Sequence, residues 1–143
     1  MQSRVPIRPA CRAIETAPRT GLETESGPAT AAILAGPLRA GGNVALVHFG
    51  SCDVMKGAVP AELQRLSGAG ARFPVSGFAQ PVDWAASAVT DFMYLDLILS
   101  RDLTPAKAAA ELERLMPFTG RENSTTPYDG VSFRLLAAPG AAP

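Results

Sequence analysis

The stretch Asn43-Val44-Ala45-Leu46-Val47-His48-Phe49-Gly50-Ser51-Cys52-Asp53 constrains the chain most. Val44 to Val47 are apolar without alternation, the pattern of a strand covered on both faces. Gly41-Gly42 punctuates its start and Gly50 its end. In an open α/β sheet, ligands and reactive side chains gather at the carboxyl ends of the strands. Cys52 stands just past such an end. A thiolate there could be stabilised by backbone N–H groups of the following turn, and Gly50-Ser51-Cys52 could supply an oxyanion-type donor. The alternative is a small buried core cysteine.

The residues around this strand carry a resemblance. Val47-His48-Phe49-Gly50-Ser51-Cys52, then Ala71-Arg72-Phe73-Pro74-Val75-Ser76-Gly77-Phe78, then Val82-Asp83-Trp84 and the helix after it resemble the nucleophile half of a caspase-like (clan CD, CHAT-like) cysteine peptidase domain. The nearest likeness is to a bacterial group of unknown function, and it covers roughly Ala29 to Met116. It implies a cysteine nucleophile at Cys52 and a substrate cleft shaped by Asp53, Asp83 and Trp84. It also implies a histidine on a Gly-His motif ending the preceding strand. This sequence has no such motif, and its only histidine is His48. The resemblance is to the second half of a catalytic domain without the first.

Each of these residues has a plainer reading. His48 is four residues before Cys52 on extended chain, so the backbones stand roughly 10 Å or more apart, beyond hydrogen-bond reach for a base. It reads as a satisfied core histidine. Asp53 could select a basic group or cap the next turn. Asp83 and Trp84 could be a helix-start carboxylate and a core aromatic. No Cys-x-x-Cys pair, histidine cluster or phosphate loop occurs, so no metal and no cofactor is expected.

The chain in order reads as follows. Residues 1–28 lack an apolar period and carry prolines at 6, 9, 18 and 28, which reads as a disordered tail. Residues 29–136 form the α/β domain and 137–143 a flexible end. Ala29 to Leu38 reads as a short helix that Pro37 ends or kinks. Pro60 to Leu66 is a second helix, with proline in its first turn. Arg72 to Phe78 is a strand, and Pro74 argues for an edge or a bulge. Val82 to Arg101 is the longest helix. Trp84, Ala85, Ala88, Val89, Phe92, Met93, Leu95 and Leu99 share one broad face, expected to meet the core. Asp83, Ser87, Thr90, Tyr94 and Arg101 lie opposite. Asp96 interrupts the apolar face and calls for an arginine or a helix N-terminus beside it. Thr104-Pro105 opens a last helix with Ala108, Leu112, Leu115 and Met116 inward, and Val131 to Leu136 is a last strand. Together these predict a small, mostly parallel sheet with flanking helices, caspase-like and incomplete.

The formal net charge is zero and 47% of residues are apolar. A core is within reach, and there is no basic excess for nucleic acid or an anionic membrane. No apolar run has the length of a membrane span, and the N-terminal arginines precede no signal core, so a cytoplasmic location is expected. Cys11 and Cys52 could pair only if the N-terminal stretch folded back, and a chain read as cytoplasmic is expected to keep them reduced. The function expected is a peptidase-type domain inactive alone. The alternative is a protein- or peptide-binding module. Either would leave one edge of the Val44 to Phe49 strand uncovered, open to self-association or to a partner's strand.

Overall fold

The computed structural model describes residues 21–24, 27–40, 43–68, 72–122 and 130–140. Two short strands, β1 (Gly21–Thr24) and β2 (Gly27–Thr30), pair antiparallel and lead into α1 (Ala31–Ala40). The expected tail at 1–28 therefore includes paired backbone from residue 21 onward, and residues 1–20 lie outside the described set. Pro37 sits inside α1 without ending it. The carbonyl that loses its donor belongs to exposed Ile33, where water can serve.

The domain is built on three strands: β3 (Val47–Phe49), β4 (Val75–Phe78) and β5 (Phe133–Leu136), in that spatial order. β3 and β4 are parallel, joined through a single 3-10 turn (Val54–Lys56) and α2 (Val59–Leu66). β5 returns antiparallel on the other side of β4. The fold is thus α/β with a mixed sheet. The expectation of a mostly parallel sheet is corrected, because the chain enters β5 from the opposite end after two further helices.

The places of the two central strands are exchanged relative to expectation. The expected long, fully covered strand Val44 to Phe49 is only three residues, half-buried, and lies at an edge. β4 is the middle strand, buried along its whole length. Pro74 does not force it outward, because it lies just before the strand and contributes its carbonyl, which accepts from Val47 N at 3.0 Å. Among the described residues, no strand pairs with the far edge of β3.

Alternation along β4 divides the core. Val75 joins Ala31, Ala35, Val59, Leu63 and Phe73 under α1 and α2. Phe78 joins Val82, Tyr94, Leu97, Leu112 and Phe133 on the other face. That second face is covered by α3 (Trp84–Leu99) and α4 (Pro105–Leu115). Gln64 ties α2 to the sheet, donating to the carbonyls of Phe73 (2.8 Å) and Ala137 (2.9 Å).

α3 presents the opposite face from the one its apolar pattern predicts. Ser87, Thr90, Tyr94 and Leu97 are buried, while Trp84, Val89, Phe92 and Leu99 are exposed. The buried polar groups are satisfied locally: Ser87 Oγ donates to Trp84 O (3.0 Å) and Thr90 Oγ1 to Ala86 O (2.8 Å). Asp96 is exposed, with Arg101 Nε 3.7 Å away.

Gly77 lets β3 and β4 approach. A Cβ there would stand 2.8 Å from the Phe49 carbonyl oxygen, in a backbone that cannot yield without breaking the pairing. Gly77→Ala is expected to destabilise the domain by about 1–3 kcal/mol, as overpacking does. Urea titration of the variant against the parent measures it.

Candidate functional site

The chain leaves β3 at Phe49 and turns through Gly50 and Ser51 to reach Cys52. Gly50 passes close to α3: a Cβ at that position would meet Asp91 Oδ2 at 3.2 Å. Asp53 follows in the left-handed region (φ 62°), a conformation that short polar side chains tolerate. Cys52 is half-buried against the cluster beneath α3 and α4. Its Sγ accepts from Val82 N at 3.4 Å. The nucleophile candidate thus stands past the carboxyl end of β3, beside the backbone that enters α3.

Cys52 is disulfide-bonded, against the expectation of a reduced thiol. Cys11 lies outside the described residues. The bond withholds the sulfur from nucleophilic chemistry until it is reduced.

The other expected site residues fall around the same junction. Asp83 is the N-cap of α3, and its carboxylate accepts from Ala85 N (2.9 Å) and Ala86 N (3.1 Å). Trp84 is the first residue of α3 and is 74% exposed, so it is not a core aromatic. Asp53 precedes the 3-10 turn and makes no side-chain cap bond; its carbonyl accepts from Lys56 N at 3.2 Å. The Val82 N–H to Cys52 Sγ contact brings Cys52 next to the residues preceding Trp84. A separate cavity of about 500 Å³, lined by Gln64, Arg65, Arg72 and Gly140 among others, includes none of the four.

His48 is fully engaged. Its Nε2 lies 2.8 Å from Asp91 Oδ1 and its Nδ1 2.9 Å from Ser76 Oγ. A carboxylate only accepts, so Nε2 carries a proton, and in a neutral ring Nδ1 then accepts from the Ser76 hydroxyl. The ring is packed among Phe78, Tyr94 and Phe133, with centroids 5.7 to 6.5 Å away. Tyr94 lies beside Ser76, and its hydroxyl donates to the Pro105 carbonyl at 3.4 Å. Burial pushes the Tyr94 phenol up to about 12, against a smaller opposite effect of the Ser76 hydrogen bond.

Ser76, His48 and Asp91 have the composition of a hydrolytic triad, but Ser76 is 0% exposed. No substrate carbonyl can reach its Oγ, and a nucleophile must meet one. The arrangement is a satisfied polar network joining sheet to α3, in line with reading His48 as a core histidine. Sequence reasoning identified His48 but not its partners Ser76, Asp91 and Tyr94. The available signal was the i,i+3 spacing of Asp91 and Tyr94, which puts both on the sheet side of α3.

No protein-family model, no curated protein and no solved structure matches this chain.

Proposed function

We propose that this chain is a caspase-like cysteine peptidase-type domain that does not hydrolyse peptides alone, and that a partner completes it by adding a strand to the open edge of β3. One observation carries the reading. Cys52 stands past the carboxyl end of an edge strand, while the only histidine in the chain is bound at both ring nitrogens. Once the disulfide is reduced, the Val82 N–H beside Sγ would favour a thiolate. Peptides are the substrate class, with Asp53, next to Cys52 in the chain, as a candidate contact. The interaction-module alternative draws on the same open edge and on the disulfide at Cys52, which a purely structural cysteine can keep.

Two measurements on the reduced protein separate these readings. Acidic and basic reporter peptides should remain uncut, because lack of a general base costs about 10²–10⁴-fold in rate. Hydrolysis that Cys52→Ala abolishes would overturn the inactivity. Iodoacetamide labelling at pH 6, mapped by peptide mass, should modify Cys52 well ahead of Cys11. Equal, slow labelling of both would remove the peptidase-type reading and leave the interaction module.

A further inference from the structure

The outer face of α3 carries four of the six exposed large hydrophobic side chains among the described residues: Trp84, Val89, Phe92 and Leu99. At 100° per residue, Trp84, Ala85, Ala88, Val89, Phe92, Leu95 and Leu99 fall within an arc of roughly 140°. Trp84, Phe92 and Leu99 are 74%, 76% and 79% exposed, and Val89 is 53% exposed. Ala85, Ala88, Phe92, Leu95 and Leu99 repeat at spacings of three and four, the seam of one helix packed along another. The seam is roughly 22 Å long.

We propose that this face is the interface of a two-fold symmetric dimer, in which α3 packs antiparallel against α3 of a second copy, crossing at Phe92. Three observations favour a second copy in this direction. The first is size. The N-terminal half of the seam carries Ala85 and Ala88, and the C-terminal half Leu95 and Leu99. Antiparallel packing about Phe92 sets Ala85 against Leu99 at both ends of the seam, whereas parallel packing stacks alanine on alanine and leucine on leucine.

The second is charge. A parallel pair in register would bring the two exposed Asp96 carboxylates together. The antiparallel pair separates them and sets each against Ala88 of the other copy. It also brings exposed Arg101 to the partner's helix start at Asp83, with opposed helix dipoles. The third is area. Aromatic side chains present about 150–250 Å² each. With Val89 and Leu99, the exposed portions come to roughly 500 Å² per copy. Complete cover of these side chains on both copies would bury about 1,000 Å², the threshold of a specific interface. The interface is distinct from the β3 edge and does not rest on any catalytic reading.

Sedimentation velocity across a concentration series on the full chain tests the proposal. The parent should show a concentration-dependent monomer–dimer equilibrium. Phe92→Glu should weaken association at least about 30-fold, as loss of a central anchor does. Its far-UV spectrum and melting transition should be kept, since Phe92 is outside the core. Leu99→Lys serves as the second variant if Phe92→Glu fails to fold. A photo-crosslinking residue at position 85, with one copy isotope-labelled, should attach near Leu99 of the partner subunit. A parent that stays monomeric at all concentrations, a dimer that persists in folded Phe92→Glu or Leu99→Lys, or crosslinks joining position 85 to the N-terminal end of the other copy's α3 would each overturn the proposal.

Discussion

Tyr94→Ala should lose about 3–5 kcal/mol of stability, the cost of removing a large buried ring. Tyr94 is fully buried, and its ring packs edge-on against Phe133 at 4.8 Å and near His48 at 5.7 Å. Its hydroxyl reaches Ser76 and the Pro105 carbonyl, so truncation leaves polar partners in the core as well as a cavity. Small domains carry a total margin of about 5–15 kcal/mol. The variant should therefore sit near its unfolding threshold at 37 °C. Tyr94→Phe keeps the packing and loses only the hydroxyl, so it should cost about 1 kcal/mol. Denaturant unfolding of the three proteins, followed by far-UV dichroism, gives both values. A Tyr94→Ala loss under 1 kcal/mol would show that α3 does not rest on the sheet as described.

Stability should also fall steeply in alkali, and Tyr94 should account for much of the fall. Its folded pKa of about 12 stands above the ordinary 10.0, so the folded state holds the phenolic proton more tightly than the unfolded chain does. The resulting stabilisation is fully present below pH 10 and is lost as pH rises through 12. At about 1.4 kcal/mol per pKa unit, it amounts to roughly 2–3 kcal/mol. Unfolding free energies of the parent and Tyr94→Phe, measured between pH 8 and pH 11.5, should converge as pH rises and cross at about pH 11, the parent then being the less stable. Parallel pH curves for the two proteins would place the phenol in contact with water.

The sequence signals that succeeded were local ones. Thr104-Pro105 marks the start of α4, where Thr104 Oγ1 accepts from Lys107 N at 3.4 Å, and Ala108 and Leu112 turn inward as their spacing requires. Asp83 marks the start of α3, and Pro60 the first turn of α2. Strand order was not legible, because Val44 to Val47 read as an interior strand whose covering depends on chain far away. The orientation of α3 was misread for a definable reason. Hydropathy scores Ser87, Thr90 and Tyr94 as outward, but each finds its partner within the helix or on Ser76 and Pro105. At the candidate site, the position of Cys52 was legible from Gly-Ser-Cys punctuation. Its disulfide was not, since nothing in the residues around Cys52 announces one.

The middle position of β4 has a consequence for synthesis. Val75 pairs first with Val47, through a short crossover, but its second neighbour, Leu136, follows it by 136 − 75 = 61 residues. At about 5–20 residues per second, several seconds separate the emergence of Phe78 from that of β5. During that interval the most buried strand of the domain has one edge unpaired, and Phe78 lacks Phe133 beside it. Through that interval the nascent chain is open to wrong strand pairing at β4, until β5 closes the edge.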